Sequence, residues 1–132
     1  MSKQFKHNIK IYYEDTDSGG VVYYANYLKY LERARSEAIY SLGLSNSILQ
    51  EDYGTLIIVK SCNIKYKKPA KFEDKLEIIS EVLKFTKTSF IMKQDIMRKD
   101  EIISVAEIHL VAVDKKGKPK KIPEELKQKL QN

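Results

Sequence analysis

One stretch restricts this chain more than any other. From about Val21 the apolar residues recur at helical spacing: Ala25, Leu28, Leu31, Ala34 or Arg35, Ala38 and Leu42 make a single stripe, and Gly43 is a natural stop just beyond it. Apart from two short helical segments, at about 45–52 and after Pro123, the other elements read as strands. Phe5, His7, Ile9, Ile11 and Tyr13 alternate. Residues 56–66 place Leu56, Ile58, Cys62, Ile64 and Tyr66 on one face, with Lys60 as its odd member, and Pro69 ends the run. Residues 75–83, 89–98 and 101–114 read as three more strands, the last two joined by the polar pair Lys99-Asp100. A strand, one long helix and four strands with short connections predict an α+β domain, an antiparallel sheet with the helix on one face. One helix covers about 10–12 Å of width, whereas five strands span roughly 20 Å between their outer axes. The sheet must therefore curl around the helix or bury its uncovered part against another copy, most simply in a twofold dimer.

Composition narrows the chemistry. The 132 residues make one domain, 1–132, and 42% apolar with 32% charged residues describe a globular chain. A single cysteine, Cys62, allows no intramolecular disulfide and fits a reducing compartment. With only His7 and His109 beside it, a four-ligand Cys/His zinc site is out of reach, and no metal site is expected. The first ten residues contain no apolar signal core, and the longest charge-free stretch, 38–50, is too short to span a bilayer. The expectation is a cytoplasmic protein with no membrane insertion.

Asp15 and Asp17 stand in a loop with Glu14, directly before Gly19-Gly20 and the long helix. A helix N-terminus presents free N–H groups and a partial positive charge. It holds a nearby carboxylate ionised and stabilises a developing oxyanion, one good donor being worth ~2.7–4 kcal/mol in acyl transfer. A carboxylate beside such a terminus can hydrolyse an activated acyl group without a Ser–His pair. Either aspartate can equally be a helix cap, and spacing alone does not choose between them. Asn26, in the first helical turn, suggests a buried hydrogen-bonding duty. Cys62 reads as a small core residue.

The run Tyr12-Tyr13-Glu14-Asp15-Thr16-Asp17, followed by Gly20-Val21-Val22-Tyr23, Asn26-Tyr27 and Glu32-Arg33-Ala34-Arg35-Ser36-Glu37, closely resembles the hot-dog-fold acyl-CoA thioesterases. The likeness is greatest to the 4-hydroxybenzoyl-CoA thioesterase family and its Tol-Pal-associated bacterial branch, and it extends through Tyr66, Pro69 and Ala70. The resemblance implies a hot-dog fold, a curled sheet of about five strands wrapped around one long central helix. It implies hydrolysis of an acyl-CoA to a free acid and CoA, with Asp17 as nucleophile or general base and the Tyr24 backbone N–H as oxyanion donor. That branch usually carries His at position 24, and the 4-hydroxybenzoyl-specific enzymes carry Tyr. Gly20, Val21, Asn26 and Glu32 are the expected substrate contacts around the helix. Val59, Lys60, Ser61, Lys65, Lys67 and Lys68 are those expected on and after the next strand. No cofactor is implied beyond the coenzyme A of the substrate. Members assemble as homodimers or homotetramers with the active site between subunits. A non-catalytic module binding acyl-CoA or acyl carrier protein is the alternative. The hydratase branch of the fold pairs Asp with His near the helix, and no His is available there.

The net charge of +6 has two local sources, Lys60, Lys65, Lys67, Lys68 and Lys71 in one stretch and Lys115, Lys116, Lys118, Lys120 and Lys121 in another. Such patches attract nucleic acid, anionic lipid or a polyphosphate, or simply face solvent. No nucleic-acid recognition motif accompanies them, so the first stretch is assigned to the phosphates of coenzyme A.

Overall fold

The computed structural model describes residues 3–131. Five strands, β1 (Gln4–Lys10), β2 (Leu56–Tyr66), β3 (Lys75–Phe85), β4 (Ser89–Arg98) and β5 (Glu101–Val113), form one antiparallel sheet in the order β1-β3-β4-β5-β2. The long helix α1 (Tyr24–Ser41) lies against its inner face, and two short helices, α2 (Asn46–Tyr53) and α3 (Glu124–Gln131), complete that layer. This is the α+β hot-dog arrangement, a sheet curled about one long helix. No helix among the described residues is long and apolar enough to cross a membrane.

The inner face follows from strand alternation. Leu76, Ile78, Ser80 and Val82 of β3, Phe90, Met92, Gln94 and Ile96 of β4, and Ala106, Ile108, Leu110 and Ala112 of β5 are all buried. Rows such as Glu81, Lys93, Glu107 and Asn63 face the other way, paired across adjacent strands and alternating in charge where they are ionised. One face is thus a core and the other a polar surface.

The helix buries Leu31, Ala34 and Ala38 of the expected stripe but departs from it in the first turns. Tyr27, Tyr30, Leu31, Ala34, Ala38 and Ile39 are inside, whereas Ala25 is exposed and Leu28 is 50% exposed. The helix is turned so that two tyrosines, rather than Ala25 and Leu28, meet the sheet near its N-terminus. The smaller Ala34 and Ala38 let it approach closely further along.

β2 also departs from a uniform alternation. Its register shifts between Val59 and Ser61, with Lys60 as the extra residue of a bulge. Ile57 and Val59 pair with inward Ala112 and Leu110, and Cys62 and Ile64 pair with inward Ile108 and Ala106. The bulge therefore reverses the phase, so that Ile58, expected inside, points outward at 46% exposure. Cys62 sits on the inward side yet is exposed, because β2 is an edge strand with little packed over its middle.

Candidate active site

Residues 16–22 fold as a miniature hairpin between β1 and α1. Thr16 and Val22 form an antiparallel bridge, Asp17 N donates to Val21 O at 2.9 Å, and Gly20 N returns to Asp17 O at 3.0 Å. Gly20 closes the turn at φ +79°, a left-handed conformation that favours glycine. The hairpin is fastened to the chain after β2. Val22 N donates to Ala70 O at 2.8 Å, and Val21 bridges to Lys71.

This geometry gives the two aspartates different tasks. Asp15 ends a single 3-10 turn (Tyr13–Asp15), and its Oδ2 accepts from Tyr12 N at 2.8 Å. Its backbone oxygen accepts from Asn26 Nδ2 at 2.9 Å and from Tyr23 N at 3.3 Å. Asn26 thus performs the hydrogen-bonding duty its position suggested, tying the helix start to the loop. Near Asp15 lies Tyr30, whose buried hydroxyl has no partner within hydrogen-bonding geometry among the described residues; burial first and the Asp15 carboxylate second raise its pKa. Asp17, by contrast, lines an open cavity of ≈ 430 Å³. Its Oδ1 accepts from Gly19 N at 2.8 Å. A Cβ at Gly19 would stand 3.3 Å from that oxygen, so the carboxylate is seated against bare backbone.

The same cavity is walled by Tyr23, Tyr24, Tyr27 and Tyr66, by Val21 and Val22, and by Lys67, Lys68 and Pro69. Tyr24 is the first residue of α1, and the residue before it, Tyr23, contributes no side-chain cap. Asn26 N turns back to Tyr23 O at 2.9 Å, whereas the Tyr24 N–H has no partner among the described residues and is left for another acceptor at the cavity. The Tyr24 ring packs on Tyr66 at 4.8 Å between centroids, and Tyr66 meets Tyr27 edge-on at 5.0 Å. Tyr27 is locked in turn, its Oη accepting from the buried Ala70 N at 3.1 Å.

The expected contacts separate in space. Asp17, Val21, Tyr24, Lys67 and Lys68 share this cavity. Gly20 shapes the turn, and Asn26 stands behind the loop. Glu32 and Val59 instead line a second cavity of ≈ 140 Å³ on the inner face, with Arg35, Ile57, Phe90, Met92 and Leu110. Ser61 and Lys65 line a shallow cleft on the outer sheet face with His109 and Glu107, and Lys60 is exposed at the bulge. Tyr23 and Tyr27 were not expected at the site. Their signal was the tyrosine-rich first turns of the helix.

An ion cluster supports the basic edge. Lys68 pairs with Glu101, Arg98 pairs with Glu101 and with Asp74 (2.6 Å), and Arg98 Nη1 also donates to Pro69 O at 3.2 Å. It pins residues 68–74 to the β4–β5 hairpin.

With this geometry the class is defined: a hot-dog domain whose cavity joins a carboxylate to an uncapped helix start. Residues 12–130 match the family model of the Thioesterase-like superfamily, and the chain belongs to that family. It is 37% identical to the acyl-CoA thioesterase YbgC of Haemophilus influenzae, over 96% of this chain and 94% of that protein. It is 35% identical to the acyl-CoA thioester hydrolase YbgC of an Escherichia coli strain, over 92% of each. Among solved structures, a probable thioesterase from Bartonella henselae superposes with a TM-score of 0.86 at 28% identity, covering 92% of this chain and 100% of that one.

The hydrogen bonds from Lys68 and then Arg98 lower the Glu101 carboxyl from 4.5 to about 2. A carboxylate with a depressed pKa contributes stability that is complete above its unfolded value and is lost as pH falls through the folded one. Glu101→Gln is therefore expected to flatten the decline of thermal stability between about pH 4.5 and 2. Melting curves across that range check it, and an unchanged decline would show that the cluster does not report on folding.

Proposed function

We propose that the chain is an acyl-CoA thioesterase that releases a free carboxylic acid and coenzyme A, with Asp17 and the Tyr24 backbone N–H as its reactive groups. The observation that carries this reading is that the Asp17 carboxylate and the uncapped start of α1 open on one cavity. Family membership and the YbgC relatives support the reaction.

The chemistry follows from those two groups. As general base, Asp17 takes a proton from water as its oxygen attacks the thioester carbonyl. As nucleophile, its own oxygen attacks, and water then hydrolyses the mixed anhydride. In both routes the carbonyl oxygen becomes an anion, which a preorganised N–H at a helix start stabilises. Collapse breaks the C–S bond, and the thiolate recovers a proton as the acid departs. Lys67, which lines the cavity, is the lysine assigned to the phosphates of the coenzyme in this reading, with Lys68 beside it paired to Glu101.

The active unit is an oligomer in this reading. β2 is an eleven-residue edge strand with Ile58, Val59 and Tyr66 exposed, an unpaired template for a second chain. Antiparallel pairing of two such strands would bring the Val59 end of one copy towards the Tyr66 cavity of the other. That arrangement would reunite Val59 and its neighbours with the reactive carboxylate.

Asp17→Asn is expected to lower kcat by at least about 100-fold in a thiol-release assay with an acyl-CoA, without loss of fold. Full turnover in that variant would overturn the catalytic assignment. Lys67→Ala is expected to raise KM with little change in kcat, and the difference should shrink as salt is added. A KM identical to that of the unmodified enzyme at low salt would remove Lys67 from the coenzyme site. Light scattering is expected to give a mass that is a multiple of 15.4 kDa. A monomeric, fully active species would rule out a shared site.

A further inference from the structure

Gln94 lies in β4, inside the sheet, and its side chain is wholly buried at 0% exposure. A buried amide must place two donors and an acceptor. Its Nε2 donates to Leu31 O and to Ser80 Oγ, both at 3.0 Å, and its Oε1 accepts from Arg35 Nη1 at 2.9 Å. Leu31 and Arg35 are one helical turn apart, so a single amide holds both ends of one turn of α1. Ser80 stands opposite Gln94 on β3, which ties that turn to two neighbouring strands.

Asn26 and Tyr27 tie the first turn of α1 to Asp15 and Ala70, and Gln94 ties its middle to the strands of the sheet. Beyond these contacts, the helix underside offers little to stop it sliding. Ala34 and Ala38 present a smooth surface to the sheet, and apolar burial has no preferred direction. Hydrogen bonds do, weakening steeply as their angle bends. Seven residues before Leu31, about 10 Å along the axis, is Tyr24. An axial shift of α1 would move the Tyr24 N–H by the same amount relative to the hairpin that carries Asp17. An oxyanion donor works only over about 2.7–3.1 Å, and a misplacement of about 1 Å can cost 100-fold in rate.

We propose that Gln94 is a positioning residue for the reaction: its clamp on the Leu31–Arg35 turn sets the axial register of α1 and so aligns the Tyr24 amide with Asp17. The inference rests on the catalytic reading given above. It assigns Arg35 a part as well. Burial lowers the pKa of this guanidinium ahead of the opposing effects of Cys62 and Glu32, and Gln94 supplies its hydrogen-bonding oxygen.

Gln94→Met keeps the volume and removes every bond. Gln94→Glu keeps an acceptor for Arg35, but an ionised carboxylate cannot donate to the Leu31 carbonyl. Both are assayed by thiol release with an acyl-CoA, well below their own melting temperatures, beside Asp17→Asn. The expected result is a fall in kcat of about 10- to 100-fold in both Gln94 variants, with KM within about threefold of wild type. A folded Gln94 variant with wild-type kcat overturns the proposal. So does failure of both to fold, which would assign Gln94 to stability alone. If Asp17→Asn is itself fully active, the catalytic reading fails. If Asp17→Asn is inactive while Gln94→Met turns over normally, only the positioning role fails.

Discussion

The site depends on the backbone of one buried residue, Ala70. Its oxygen takes the Val22 N–H at the end of the Asp17 hairpin, and its N–H goes to the Tyr27 hydroxyl on α1. Ala70 is completely buried, as is nearly all of Tyr27, so neither bond competes with water. Leaving either group unpaired there would cost about 1–3 kcal/mol. Three separate pieces of chain, the hairpin, the first turns of the helix and the segment after β2, therefore meet at one residue. These same three pieces wall the cavity.

The start and the middle of α1 are held from opposite directions. At the N-terminus, Asn26 and Tyr27 reach out to the backbone of Asp15 and Ala70. In the middle, the sheet reaches in through Gln94. Between these directional contacts the helix is packed by apolar burial, which supplies most of the attraction but little positional information. The tyrosines serve both purposes. Tyr27 buries a large ring and spends its hydroxyl on a backbone donor, and its ring edge supports Tyr66 at the cavity wall.

Much of the fold was legible because periodicity and punctuation agree along the chain. Gly54, in the left-handed conformation at φ +61°, ends α2 close to the expected end of the 45–52 segment, and Ser45 caps its start through Ile48 N. Spacing alone does not distinguish a helix face carrying Ala25 and Leu28 from one carrying Tyr27 and Tyr30. Tyrosine, with an apolar ring and a polar tip, belongs to either face until its hydroxyl finds a partner. In β2, Lys60 stands out as a charged member of an apolar face, but a bulge and a misfit look alike until the partner strand is known. Only pairing with β5 shows that the residues on either side of Lys60 face inward in opposite phase.

The paired aspartates show the same limit at the site. Asp15 and Asp17 are two residues apart, and in a regular strand they would share a face. The chain is not a strand there. A 3-10 turn ends at Asp15, and the hairpin begins at Thr16, so the backbone changes direction between them. Asp15 turns back on Tyr12 and closes its own turn, and its backbone oxygen takes the Asn26 amide. Asp17 falls beyond the reversal, against Gly19, and opens on the cavity. Which acid caps and which faces the cavity is thus decided by a single local change of backbone geometry. Residue type and spacing identify the pair, and the reversal at Thr16 separates their roles.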